Sequence, residues 1–173
     1  MKYQKRLIGA GTACLLVGVS SAAMAVDCPT GFIIGQQVAE IVINGQVCHI
    51  EDTVVDGNVT ITNSPDIDMI DVEVAGNVTV TGGANTKATL ARVDSFGGDF
   101  DVSGHAAAIV TGCIARGAGT AAANGNMVVN NNTAAVVYTN IVVGNLTCTG
   151  NTELDEYFNR VYGTENCPAP AAP

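Results

Sequence analysis

Asp66, Asp68, Asp71 and Glu73 form the densest acidic group in the chain, and Asp99 and Asp101 repeat its Asp-x-Asp spacing further on. Alternate residues of a strand share one face, so each Asp-x-Asp would present a pair of carboxylates. Calcium takes about six to eight oxygen ligands at short range. Asp66, Asp68, Asp71, Asp99 and Asp101 are therefore the candidate metal ligands. Neither a nonapeptide calcium repeat nor a glycine-spaced Asp-x-Asp-x-Asp loop accompanies them, so a solvated acidic face is the plainer expectation. No other cofactor is indicated. The same carboxylates with Arg92 or Arg116 could act on a polysaccharide, but that chemistry needs long loops beside the site, and the chain has little length for them. His49 and His105 are far apart in sequence with no serine elbow near either; both are expected at turns or on the surface. No catalytic residue is assigned, and the chain is expected not to be an enzyme.

Three Thr-x-Thr motifs, at 60/62, 79/81 and 147/149, could present the ranked hydroxyls of an ice-binding face. Threonine also favours exposed strand positions for its own sake, and Asp101/Ser103 and Val128/Asn130 interrupt the rank. Of the cysteines, Cys28 and Cys48 are expected to pair, stapling an opening segment to the first coil of chain. Cys148 is expected to pair with Cys167, with Cys113–Cys148 as the competing bridge. No C-x-x-C occurs, which argues against zinc or thioredoxin-like redox work. Cys113, in the apolar run Ile109 to Ile114, reads as a buried inert thiol.

These residues are positioned by a repeat. Gly57-Asn58-Val59-Thr60-Ile61-Thr62-Asn63, Gly76-Asn77-Val78-Thr79-Val80-Thr81-Gly82 and Gly144-Asn145-Leu146-Thr147-Cys148-Thr149-Gly150 are close copies. Gly98-Asp99-Phe100-Asp101-Val102-Ser103-Gly104 and Gly125-Asn126-Met127-Val128-Val129-Asn130-Asn131 are looser ones. The launching glycines stand 19, 22, 27 and 19 residues apart. A solenoid explains such spacing, because every coil must return to the same place. The uneven intervals predict an all-β, single-domain, right-handed parallel β-helix of about five to six coils, with a bulged loop near residues 118–123. Alternation places Val59, Ile61, Val78, Val80, Phe100, Val102, Met127, Val129 and Leu146 in one interior stack. The second apolar runs, at 69–74, 90–96, 109–114 and 136–143, supply the other walls. Five coils at about 4.8 Å each give a rod of roughly 24 Å plus its ends. Asn after Gly is expected to bond its own turn and to tolerate a left-handed backbone; three of the four Asn-x-Thr sequons arise from that motif.

Residues 1–25 read as a secretory signal peptide: Lys2, Lys5 and Arg6, then an apolar run, then Ala23-Met24-Ala25 as the cleavage pattern. Cys14 would leave with it. No membrane span is expected after cleavage. The remaining chain keeps Lys87, Arg92, Arg116 and Arg160 against sixteen acidic residues, a formal charge of −12. That surface repels nucleic acid and anionic lipid. Export and cysteines near both ends point to an oxidising compartment, be it periplasm, cell surface or medium.

Residues 26–47 fit either a cap or a first coil, followed by coils over 48–151. Over 152–162, Thr152 reads as an N-cap, Leu154, Tyr157, Phe158 and Val161 recur at helical spacing, and Gly163 can close the end. A capping helix is therefore predicted, pinned by a Cys148–Cys167 bond within 152–167 and followed by a disordered Pro/Ala tail, 168–173. Two capped ends predict a monomer. The ending Gly144-Asn145-Leu146-Thr147-Cys148-Thr149-Gly150-Asn151, with a further cysteine about twenty residues on, resembles that of small exported bacterial parallel β-helix proteins with Gly-Asn-Val/Leu coils. The resemblance covers about residues 45–167, implies fold and export, and transfers no catalytic residue. The expected role is a non-enzymatic, secreted or surface structural protein of the bacterial envelope or matrix. The alternative is a carbohydrate- or calcium-binding module on the Asp/Asn/Thr face. Extracellular polysaccharide or cell-surface components are the partners that fit either reading.

Overall fold

The computed structural model describes residues 25–115 and 125–168. Of the segment expected to be a signal peptide only Ala25 is described, and it is a strand residue. The loop expected at 118–123 and the expected tail beyond Pro168 lie outside the described residues. The rest is parallel β-solenoid. One sheet of eight strands stacks Ala25–Val26, Glu40–Asn44, Val59–Thr62, Val78–Thr81, Phe100–Ser103, Met127–Asn130, Leu146–Thr147 and Glu165–Asn166. Eight layers in one wall make seven turns of chain, and at about 4.8 Å per layer the rod is about 34 Å long. The in-register positions Ile41, Val59, Val78, Phe100, Met127, Leu146 and Glu165 stand 18, 19, 22, 27, 19 and 19 residues apart. The extra length of the 27-residue turn falls between Ala115 and Gly125.

The second sheet forms two walls. Phe32–Ile34, Cys48–Glu51, Ala107–Thr111, Ala134–Tyr138 and Glu153–Tyr157 belong to one; Gln37–Val38, Val54–Val55, Ile114–Ala115, Ile141–Val142 and Arg160–Val161 belong to the other. Asp66–Val74 and Lys87–Ser95 run through both. The bend between these walls is a column of left-handed residues: Gly35, Asp52, Asp71, Arg92, Gly112, Thr139 and Phe158, with φ from 49° to 62°. Five of the seven carry side chains despite the cost of that conformation, so the stacked hydrogen bonds on either side hold the corner.

The interior is one continuous cluster. Every residue of the predicted stack, Val59, Ile61, Val78, Val80, Phe100, Val102, Met127, Val129 and Leu146, is fully buried within it. The other walls add Met69, Leu90, Val110 and Val137 to the same core. A lone coil has no second apolar surface to cover its inner face, so each is stabilised by its neighbours.

Residues 26–47, left open between cap and coil, are coil: Phe32–Ile34 pairs with Cys48–Glu51 and Glu40–Asn44 with Val59–Thr62. The predicted capping helix is not present. Residues 153–157 form a parallel strand on Ala134–Tyr138, Arg160–Val161 follows on Ile141–Val142, and Glu165–Asn166 on Leu146–Thr147. The segment carries two periods at once. Its helical spacing competes with a strand alternation in which Leu154 and Glu156 turn inward while Glu153, Asp155 and Tyr157 stay exposed. An isolated helix of that length is marginal in water, whereas the strand satisfies an open row of backbone groups beneath it. The count is accordingly about seven turns rather than five to six. No helix among the described residues is long and apolar enough to cross a membrane.

Candidate functional site

Both predicted disulfides are formed, Cys28–Cys48 near the first coil and Cys148–Cys167 at the last. Cys113 is free and buried, and desolvation pushes its thiol up to about 12. A thiol with so little thiolate is a poor nucleophile and metal ligand.

The candidate metal ligands do not converge. Asp71 is gripped by the Arg92 guanidinium, whose Nε and Nη2 donate at 2.5 and 2.6 Å. That bidentate contact holds the Asp71 carboxyl below the usual carboxylate range. Asp68 lies 3.8 Å from His49 Nδ1, while His49 Nε2 meets Glu51 at 3.1 Å. Asp66 is exposed on that wall, in register with Lys87. Asp101 faces outward between Thr79 and Val128, and its Oδ1 is covered without a hydrogen-bond partner. Among the described residues, no group of three or more His, Cys, Asp or Glu could hold a metal ion.

Asp99 has a different task. Asn58 Oδ1 accepts from the Asn77 N–H at 2.9 Å, and Asn77 Oδ1 from the Asp99 N–H at 2.8 Å. Asp99 Oδ1 accepts from Asn126 N–H at 2.9 Å, Asn126 Oδ1 from Asn145 N–H at 3.0 Å, and Asn145 Oδ1 from Thr164 N–H at 2.8 Å. The Asn of each Gly-Asn motif therefore bonds the next coil, not its own turn as expected, and none of these four Asn has a positive φ. Each oxygen supplies an acceptor to a corner N–H that no strand pairing reaches. Asp99→Asn keeps that acceptor and matches the neighbouring rungs, so its unfolding free energy is expected to stay within about 0.5 kcal/mol of the parent. Asp99→Ala should lose about 1 kcal/mol by removing the acceptor. Denaturant melts of the two variants check this, and equal loss in both would remove Asp99 from the ladder.

Two further ladders were missed at the other corners. Asn132 Oδ1 accepts from His105 N–H at 2.8 Å, and Asn151 Oδ1 from Asn132 N–H at 2.9 Å. Their amides donate to the Val102 and Val129 carbonyls. Asn140 and Asn159 repeat the scheme beneath Cys113 N–H, donating to Val110 and Val137. The sequence held a signal for these: Asn132/Asn151 and Asn140/Asn159 each recur at the 19-residue interval of the launching glycines.

The chain matches no protein-family model, no curated protein and no solved structure.

The threonine motifs occupy two outward columns of the eight-stranded sheet, Thr60 on Thr79 and Thr62 on Thr81. Asp101 and Ser103 continue them, then Val128 and Asn130, as the motif breaks implied. His105, expected at a turn or surface, is instead buried inside the rod. It follows Gly104 at the corner where the next coil places Asn132 inside, and where Ser64 is buried two coils earlier. Its Nε2–H donates to the Val80 carbonyl at 3.2 Å, and Nδ1 accepts from the Thr86 hydroxyl at 2.9 Å. Burial lowers its pKa from the ordinary imidazole value, against the opposing pull of the Val80 carbonyl. The unfolded chain therefore takes up a proton before the folded one does. Stability should be full above about pH 6.5 and fall as pH drops from there toward the folded pKa. His105→Asn, which cannot titrate, should flatten that part of the stability–pH curve. An unchanged slope would assign the dependence to other groups.

Proposed function

We propose that this chain is a non-enzymatic structural protein, a stiff acidic solenoid that works outside the cytoplasm of a bacterium, in its envelope, matrix or medium. The observation that carries the reading is where its polar side chains are spent. Asn58, Asn77, Asp99, Asn126 and Asn145 bind coil to coil, as do Asn132, Asn140, Asn151 and Asn159. Side chains so occupied hold shape and are not free to turn over a substrate. Disulfides at both ends suit an oxidising compartment, and the resemblance to small exported β-helix proteins points the same way. Fractionation of the producing cells with an antibody to the chain tests it. The protein should appear in envelope, matrix or medium, and recovery in the cytoplasm would end the proposal.

A carbohydrate- or calcium-binding module is the second reading. It is favoured by the covered, unbonded Asp101 oxygen beside the outward threonine columns. A calcium titration followed by melting, together with a glycan array, separates the two. A flat response in both removes the module.

A further inference from the structure

Among the described residues, the strands at both ends of the rod are paired on one side only. At the C-terminal end these are Glu153–Tyr157, Arg160–Val161 and Glu165–Asn166; at the other they are Phe32–Ile34, Gln37–Val38 and Ala25–Val26, of which the expected cleavage after Ala25 would keep Val26. The two sets occupy the same three walls and run parallel. Backbone groups left open at one end therefore match, wall by wall, those left open at the other. Large exposed apolar side chains collect there too: Phe32 at 60% and Ile34 at 49% exposure in the first coil, Tyr157 at 44%, Phe158 at 83% and Tyr162 at 60% in the last. Following the register onward from one copy to the next sets Tyr157 over Ile34, Arg160 over Gln37 and Val161 over Val38.

Two positions break this fit. The interior column Ile33, Ile50, Met69, Leu90, Val110, Val137 ends in Glu156, and the column Val26, Ile41, Val59, Val78, Phe100, Met127, Leu146 ends in Glu165. Stacking a second copy would bury both carboxylates against Ile33 and Val26, which is costly for a charged group. We propose that the open C-terminal coil docks the N-terminal coil of a second copy, head to tail, and that the Glu156 and Glu165 carboxylates keep the two apart until they are protonated. Such an interface is heterologous and does not close, so it grows a filament.

The surroundings of the two carboxyls agree. Beneath them lie Val137 and Leu146. Asn159 donates its amide to Glu156 Oε1, and no base joins them: the Arg160 guanidinium sits over the Tyr162 ring, 4.9 Å from its centroid. Glu153 and Asp155 are exposed on the outer wall. From the docked copy, Asp27 and Glu40 adjoin Val26 and add charge of the same sign. Cleavage after Ala25 would also leave the α-amino group of Val26 as a cation facing Glu165. The larger barrier is therefore at Glu156, which meets the apolar Ile33. Glu165 already has its pKa raised, by burial first and then by Glu156, which repels its charge and shares a hydrogen bond with it. A carboxyl with a raised pKa holds its proton to higher pH than a free one. Docking buries it further, so association takes up protons and strengthens as pH falls.

The test compares the protein as processed by its own cell with the double variant Glu156→Gln, Glu165→Gln, by sedimentation and electron microscopy. Glutamine keeps the acceptor for Asn159 and removes the charge. At about pH 7 the parent should sediment as a monomer and the double variant as rods of unchanged width and multiplied length; the parent should assemble likewise in acid, where carboxylates take up protons. Because an acidic chain also loses net charge in that range, the neutral-pH result decides. Adding Ile34→Cys and Tyr157→Cys to the double variant should give a ladder of intermolecular disulfides. A double variant that stays monomeric at neutral pH overturns the proposal, as does a parent that assembles equally well there, or a rod in which positions 34 and 157 do not crosslink.

Discussion

Replacing Phe100 with alanine is expected to lower the unfolding free energy by about 3–5 kcal/mol. Phe100 heads the largest fully buried side chains of the molecule and has no exposed surface. It stands between Val78 below and Met127 above, in register with both. A solenoid interior has little freedom to close around the missing ring, because the walls are fixed at the spacing of their hydrogen-bond ladders. The cost therefore combines lost transfer energy with a residual cavity. Its position near the middle of the rod sharpens the effect, since the contacts that couple the two halves pass through this layer. A denaturant melt checks it: the midpoint should fall with the slope unchanged. A loss below about 1 kcal/mol would mean that the column is loosely packed and that the ladders alone hold the rod.

Gly76→Ala is expected to be nearly as damaging, at about 2–4 kcal/mol, for a reason unrelated to apolar burial. A Cβ at this position would lie 2.7 Å from the Gly57 carbonyl oxygen, 3.0 Å from its carbon, and closer still to Asn58 Oδ1. The Gly57 oxygen accepts the Gly76 N–H at 2.9 Å, and Asn58 Oδ1 accepts the next one, from Asn77. One methyl group would thus push apart two hydrogen bonds that set the coil spacing. The same change at Gly45, where a Cβ meets nothing within 4 Å but φ is +70°, costs only backbone strain, about 1 kcal/mol. Thermal melts of the two variants side by side separate contact from strain. A loss at Gly76 no larger than that at Gly45 would show that the coils shift to admit the methyl group and that the close approach is not required.

The walls were legible because a period of two, repeated at a near-constant interval, says both what is strand and which side is inside. Val59, Val78, Phe100, Met127 and Leu146 could be aligned by the Gly-Asn or Gly-Asp before each. Cys28–Cys48 was expected as a staple onto the first coil, and Cys148–Cys167 is formed although the helix it was expected to pin is a strand. The far end was not legible. In Glu153–Tyr157 the alternation lasts five residues and overlaps a helical spacing, and only the open edge of Ala134–Tyr138 decides between them. His105 was misplaced because a lone polar residue beside glycine looks like a surface turn, and the carbonyl and hydroxyl that receive it come from Val80 and Thr86, in the preceding coil. The acids that invited a calcium reading share no site, since Asp71 and Asp99 are separated by their partners, Arg92 and Asn126. Spacing along the chain shows which residues share a column; it does not show which neighbour each side chain will choose.

The coil-to-coil side-chain hydrogen bonds of the three asparagine ladders join residues no more than 30 apart, the longest running from Asn132 to Val102 and from Asn140 to Val110. Structure of this kind needs no late closure between distant ends of the chain. Were the chain exported as proposed, threading N-terminus first through a translocation pore, it could lay down each turn on the one already outside. Vectorial growth of this sort would finish the N-terminal half while the rest is still in transit, leaving little unpaired strand exposed to its neighbours along the way.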